Sequence, residues 1–171
     1  MGLGGIIWVE VGTNALDKTA GETERYSGVL WGRADHALDD KKRFAIPREW
    51  RELLGSPKYI FAMPDRKERC VNLIPIEEMQ ARLGKLREKA LFDPVTMRAY
   101  QTIGANSAQL KIDDQGRIRL SDRFMQFANI TKSVAMIGAC SMIKLWDPAA
   151  LAPQDAVEQE ALDEALSVIQ F

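Results

Sequence analysis

The sequence predicts a mixed α/β protein, mainly β, built of two tandem half-barrels that interlock into one pseudo-symmetric barrel with short helices. The first ground is a self-match: Leu38-Asp39-Asp40-Lys41-Lys42-Arg43-Phe44-Ala45-Ile46 returns 74 residues later as Ile112-Asp113-Asp114-Gln115-Gly116-Arg117-Ile118-Arg119-Leu120. At that offset Ile46, Trp50, Leu53 and Leu54 fall on Leu120, Phe124, Phe127 and Ala128, and Lys58 falls on Lys132. Self-similarity at a fixed spacing marks a duplicated supersecondary unit. The second ground is that each copy reads as strand, polar turn, strand, short helix and two further strands. The third is that four short strands and one small helix leave an apolar surface open, so each copy needs the other to close a core.

Residues 1–25 form an amino-terminal extension outside the repeat, with strand character at Ile6-Ile7-Trp8-Val9 and a polar linker after it. The first repeat and its connecting helices take residues 26–103. Its first strand is expected over 29–37 and its turn over 39–42. Asp suits such a turn because its carboxylate accepts hydrogen bonds from backbone N–H groups two residues on. Lys42 stands where the second turn has Gly116, so it either keeps a negative φ or is strained. Residues 43–46 leave the turn as a strand, and Pro47 is expected at the first helical position, where a missing N–H costs nothing. Ile46, Trp50, Leu53 and Leu54 make one apolar stripe on that helix, and its outer face carries Arg48, Arg51 and Glu52. Gly55 and, in the second copy, Asn129 are placed to end their helices in the left-handed conformation.

Strands at 59–63 and 70–74 flank a charged turn at 64–69. Pro75 opens a helix with Met79, Leu83, Leu86 and Ala90 facing inward, Pro94 interrupts it, and 95–103 is a further short helix. The second repeat takes 104–150: a strand at 106–111, the second turn, a strand at 118–120, and a helix for which Ser121 is a good N-cap. Strands at 133–137 and 142–147 follow, joined by 138–141. Residues 151–171 form an acidic amphipathic tail helix, with Asp155 and Glu158 resembling a capping box. Its stripe of Val157, Ala161, Leu162, Ala165, Leu166 and Ile169 has to pack on its own domain or on a partner.

An apolar fraction of 46% and a charged fraction of 27% over 171 residues are those of a globular protein. A net charge of −1 excludes a strongly basic chain. The charge is unevenly spread: residues 154–171 hold five acids and no base, and setting those five aside from −1 leaves +4 on residues 1–153. Between Arg25 and Arg51 seven bases face four acids. Cys70 and Cys140, far apart and without a CxxC, are expected as buried, reduced thiols of a cytosolic protein. No apolar run approaches the roughly 18 residues of a membrane span, and the first eleven residues lack the basic start of a signal peptide.

Asp39 and Arg43 lie four apart across the turn, as do Asp113 and Arg117. Each pair either braces its turn or presents a ligand-contacting group, since a carboxylate can fix a guanidinium in one orientation. The consecutive Lys41, Lys42 and Arg43 on a projecting loop favour contact in the first copy. The run from His36 to Pro47, followed by Asp113-Asp114-Gln115-Gly116-Arg117-Ile118 and by Leu145-Trp146-Asp147-Pro148, resembles the two motifs of the MraZ family of bacterial transcriptional regulators, within the AbrB-like swapped-hairpin superfamily. The resemblance covers roughly residues 26–150.

It implies a regulator, cytoplasmic and nucleoid-associated, that assembles into homo-oligomeric rings and binds double-stranded promoter DNA at short direct repeats upstream of the division and cell-wall gene cluster. Carried over by position, Lys41, Lys42, Arg43 and Arg117 would contact DNA, while Asp39 and Asp113 would brace the turns. No cofactor, metal, membrane or small-molecule substrate is implied. Three positions depart from the family pattern: Lys42 replaces a usual glycine, Ser121 a usual proline, and Lys144 an acidic residue common before the Trp.

Two other readings compete. Asp39, Asp40, Asp113 and Asp114 could hold Mg²⁺ for hydrolysis, but no nucleophile–base pair accompanies them, and the sole histidine, His36, reads as a strand residue. Alternatively the chain is a non-enzymatic protein-interaction scaffold on the same fold, its DNA affinity lost and its acidic tail engaging a partner.

Overall fold

The computed structural model describes residues 29–155 and 158–168. In chain order the elements are β1 (Arg33–Ala37), β2 (Arg43–Ala45), α1 (Arg48–Leu53), β3 (Tyr59–Asp65), β4 (Cys70–Pro75), α2 (Ile76–Ala90) and α3 (Pro94–Asn106), followed by β5 (Ala108–Lys111), β6 (Arg117–Arg119), α4 (Asp122–Phe127), β7 (Ser133–Ala139), β8 (Met142–Trp146), α5 (Pro148–Asp155) and α6 (Glu158–Val168). The architecture is mixed α/β, mainly sheet with short helices. An open antiparallel sheet runs in the order β1-β7-β8-β4-β3-β5, and β2 and β6 form a separate two-stranded ribbon.

The repeats exchange their first strands. β1 pairs with β7 of the second repeat, and β5 pairs with β3 of the first. Ala34 lies opposite Met136, and the same step of 74 residues turns this pair into Ala108 opposite Ala62. The hydrogen bonds beyond the strands are reciprocal too: Leu38 N–H donates to the Lys132 carbonyl at 2.8 Å, and Ile112 N–H to the Lys58 carbonyl at 2.9 Å. Two pairs map onto themselves, Phe44 with Ile118 in the ribbon and Asn72 with Lys144 where β4 meets β8. The second of these is offset by 72 residues, because two residues (Cys140, Ser141) join β7 to β8 where four (66–69) join β3 to β4.

Phe44 and Ile118, 2% and 0% exposed, bring the ribbon into one core with Val71, Leu73, Ile143 and Leu145 of the central strands and with Trp50 and Phe124 of α1 and α4. The stripe of Ile46, Trp50 and Leu54 is buried as expected, with Leu53 partly so. A smaller cluster of Cys70, Ala135, Trp146 and Leu151 joins α5 to the sheet.

Local chemistry explains most boundaries. Gly55 and Asn129 take φ of 79° and 57° just past their helices, the conformation that Gly and Asn adopt at least cost. Ser121 caps α4 by accepting from Phe124 N–H. Asp93 caps α3 by accepting from Val95 and Thr96 N–H, with Pro94 at the first helical position.

The structure corrects several boundaries. Pro47 is the N-cap of α1, with an extended ψ of 139°, not its first helical residue. β1 starts at Arg33 because Gly32, φ 88°, breaks the run, and Leu30 makes only an isolated bridge to Cys140. β3 continues through Pro64, which lies past the end of β5, whose last partner is Ala62; a proline is tolerated where a ladder has ended. Cys140 is exposed, in a two-residue turn at φ 60°, whereas Cys70 is buried. Helix resumes at Pro148, one residue after β8, and Asp155 lies within the helix described over Pro148–Asp155. Of the tail stripe, Leu162 and Leu166 lie 57% and 36% exposed, so they do not pack on the described domain; Val157, Ile169 and the extension of residues 1–25 lie outside the described residues.

Gly138 faces the strand lead-in so closely that a Cβ would sit 2.6 Å from Trp31 N and 2.7 Å from the Leu30 carbonyl carbon. Both are backbone atoms and cannot swing aside, so Gly138→Ala is expected to lower stability by roughly 1–3 kcal/mol, read as a lower urea midpoint at unchanged slope. Burial pushes the Cys70 thiol up to about 12. A maleimide should therefore modify Cys140 in the native protein and reach Cys70 only after unfolding, as peptide mass mapping would show.

Candidate nucleic-acid interface

The two turns are built alike. Asp39 Oδ1 accepts from Lys41 N–H and Arg43 N–H, each at 2.9 Å, and its Oδ2 accepts from Arg43 Nε at 2.8 Å. Asp113 Oδ1 accepts from Gln115 N–H at 3.0 Å and Arg117 N–H at 2.8 Å, and its Oδ2 from Arg117 Nε at 2.9 Å. Each aspartate thus accepts three hydrogen bonds from its own turn. These bonds do not use up the guanidinium groups, because each carboxylate engages only Nε. The Nη groups of Arg43 and Arg117 make no hydrogen bond among the described residues, and the side chains are 28% and 30% exposed. An oriented guanidinium with its terminal N–H groups open is suited to a bidentate acceptor.

The electrostatics agree with the geometry. Desolvation alone would raise the Asp39 carboxyl, but the backbone N–H and guanidinium of Arg43 and the N–H of Lys41 outweigh it and hold it below the ordinary value of 3.8. For Asp113 the backbone N–H of Arg117 is the largest influence, opposed by desolvation and joined by the Arg117 side chain and the Gln115 N–H.

Other positions separate the turns. Lys42 has φ 59° where Gly116 has 78°, so of the two possibilities for Lys42 the strained one holds. Its Nζ lies 2.6 Å from Asp122 Oδ1 at the start of α4. Lys41 is exposed, with its backbone N–H committed to Asp39. Asp40 and Asp114, proposed partners in a metal site, point outward, while both oxygens of Asp39 and Asp113 are spent on their own turns. His36 sits in β1 opposite Val134.

Two arginines were missed in the sequence. Arg51, assigned to the outer face of α1, reaches across the repeats: its Nε donates to the Ile46 carbonyl at 3.2 Å, and a Cβ on Gly116 would lie 2.4 Å from its guanidinium carbon. The missing side chain of Gly116 was the available signal. Arg119 lies beyond the turn, at the end of β6, outside the Asp-x-x-x-Arg pattern. Strand alternation would have found it: Phe44 and Ile118 point inward, so Arg43, Ala45, Arg117 and Arg119 share the outward face of the ribbon.

Comparison with known proteins bears on this geometry. The family model described as "MraZ protein, putative antitoxin-like" matches residues 103–165, which include the second turn and Arg119. A protein of Erwinia tasmaniensis named transcriptional regulator MraZ is 30% identical over 112 residues, 64% of this chain and 74% of its own length. The chain belongs to the MraZ family. A Mesoplasma florum MraZ is likewise 30% identical, over 70% of this chain and 80% of its own. A Thermomicrobium roseum MraZ is 28% identical over 82% of this chain and 99% of its own.

Among the MraZ departures, Lys144 has a structural companion. Its Nζ lies 2.5 Å from Glu68 Oε2 and 3.6 Å from Asp65 Oδ2. Asp65, Glu68 and Cys70 are close enough to share a metal ion, with ligand atoms within 4.8 Å of one another, but the ammonium already holds both carboxylates. No helix among the described residues is long and apolar enough to cross a membrane.

Both braces have a depressed carboxyl, so their contribution is complete above the ordinary value of 3.8 and is lost as pH falls through the lower folded value. In an NMR titration the Asp39 and Asp113 carboxyl carbons should titrate below 3.8, with the Arg43 and Arg117 Nε–H signals exchanging faster over the same window.

Proposed function

We propose that this MraZ-family chain is a sequence-specific, DNA-binding transcriptional regulator that acts without cofactor or small-molecule substrate. The observation that carries it is the pair of arginines, Arg43 and Arg117, each held through Nε by an aspartate with its terminal nitrogens open. A guanidinium fixed in this way can meet guanine O6 and N7 bidentately, while Lys41 and Lys42 suit phosphate, which positions the protein without reading sequence. The family relatives' shared name, transcriptional regulator MraZ, supports the same reading.

In the finer form of the proposal the two repeats, residues 26–103 and 104–150, work as one pseudo-symmetric swapped-hairpin barrel, with 1–25 and 151–171 as appendages. A ring of such units occupies short direct repeats in the promoter of the division and cell-wall gene cluster, on the nucleoid in the cytoplasm. Each subunit offers only two small turns, so several held at fixed spacing gain affinity through effective concentration. Exposed Leu91, Phe92 and Val95 between α2 and α3, and exposed Leu162, Leu166 and Val168 on α6, are apolar surface of the kind that contacts between copies would cover. The exposed face of the acidic α6 also favours a second reading, a protein-interaction scaffold without DNA affinity.

Binding to a promoter fragment with tandem repeats, across a salt series, separates the two. Wild-type protein should prefer the repeats over random DNA, with a log–log salt slope of about −0.9 per phosphate neutralised. Arg43→Ala and Arg117→Ala should each lose roughly 1–3 kcal/mol of that preference, with the oligomer intact by light scattering. A wild-type protein that shows no preference at moderate salt overturns the regulator and leaves the scaffold.

A further inference from the structure

The ribbon between the turns carries a cation that neither turn needs. Arg119 is the Cα partner of Arg43. Ile46 N–H donates to the Gly116 carbonyl at 2.9 Å, two steps beyond Phe44 and Ile118, which makes Arg43 and Arg119 a non-hydrogen-bonded pair. In such pairs the Cα atoms stand only about 4.5 Å apart and the side chains are closest. Like charges directly opposite one another on adjacent strands repel. Arg43 is compensated by Asp39, whereas Arg119 is exposed and has no carboxylate within ion-pair distance among the described residues. The acid that feels it, Asp122, is bound to Lys42 at 2.6 Å.

The repeat makes this a choice of sequence rather than of fold. The position equivalent to Arg119 in the first copy is Ala45, which lies opposite Arg117. One end of the ribbon therefore gathers Lys41, Lys42, Arg43 and Arg119, and the other holds Arg117 against an alanine, with Arg51 over Gly116.

We propose that the outward face of the β2–β6 ribbon is a phosphate-binding surface continuous with the first turn, with Arg119 as a DNA-backbone contact of its own. The proposal rests on the DNA-binding reading above and makes the interface polar, anchored more strongly at the first turn. Arg119 ends β6 and stands on the strand, outside both turns. A phosphate bound by Arg119 through charge-assisted hydrogen bonds would neutralise the cation that Arg43 faces and leave the terminal nitrogens of Arg43 to the base.

The test uses the full-length protein, the same promoter fragment and a random fragment of equal length. Arg119→Ala should weaken binding to both fragments by a similar factor, about 3- to 10-fold at moderate salt, and make the salt slope shallower by about 0.9, the value of one phosphate. The preference for the repeats should persist, and Arg119→Lys should restore much of the slope. Thermal unfolding without DNA is a second readout: Arg119→Ala should melt no lower than wild type, since a repulsion has been removed. An unchanged slope in Arg119→Ala, while Arg43→Ala still loses its preference, overturns the inference and leaves the regulator standing. Loss of preference in Arg119→Ala with an unchanged slope would make it a base-reading residue and also overturns it. Absence of any salt-dependent binding by wild type overturns the underlying reading and this inference with it.

Discussion

The exchange of first strands between the repeats is the contact on which everything else rests. β1 finds its backbone partners on β7 and β5 on β3, so neither repeat completes its sheet without the other. The exchange also fixes where the turns go. Each turn is strung between an exchanged strand and its half of the ribbon, and the ribbon's register is pinned by burying Phe44 against Ile118. A slip of one residue would carry both out of the core and turn the arginines inward. The placement of the two turns is thus inherited from a buried strand pair, which is what a rigid scaffold would contribute to the proposed binding face.

On this nearly symmetric frame the side chains are not symmetric. Lys42 accepts a left-handed backbone that costs a non-glycine residue roughly 1–2 kcal/mol, and its ion pair with Asp122 is exposed to solvent and offsets little of that cost. Stability alone would favour the glycine that occupies the second turn. A strained residue kept against that preference, in a turn next to Arg43, is the pattern expected where a side chain serves binding. The second turn takes the opposite solution: Gly116 relaxes the backbone, and the space above it is filled by Arg51 from the first repeat's helix. Met125 holds the equivalent place in α4 and lines a groove with Lys42 and Asp122.

What was legible in the sequence is what depends on near neighbours. The aspartate turns, the left-handed ends at Gly55 and Asn129 and the Ser121 cap follow from residues within a few positions of one another, and the duplication from a direct match of one such local pattern with another. What escaped depends on distant partners. Arg51 looked like a solvent residue because the glycine it covers is 65 positions away, from Arg51 to Gly116. Cys140 was expected in the core on residue type, since free cysteine is among the most buried residues, although it falls in the connection at 138–141 that exposes it. The Pro47 boundary moved by one residue, within the ordinary uncertainty of helix ends. The tail stripe was readable as amphipathic, but nothing in it says that Leu162 and Leu166 stay uncovered.

The departures from symmetry bear on the kind of site this face could use. A two-fold pair of equal contacts matches an inverted repeat, because operator symmetry mirrors that of the protein. Here Phe44 and Ile118 exchange places under the 74-residue step, but the pairs on either side of them differ: Arg119 opposite Arg43 at one end, Ala45 opposite Arg117 at the other. An interface of the proposed kind would have a strong end and a weak end, and turning it around on the duplex would change its contacts. Several such units in the proposed ring would all point the same way around it. Sites spaced to meet them in turn must share one orientation, which is what a direct repeat provides and an inverted repeat does not. The duplication supplies the frame for two turns, and the substitutions at positions 42, 45, 51, 116 and 119 supply the direction.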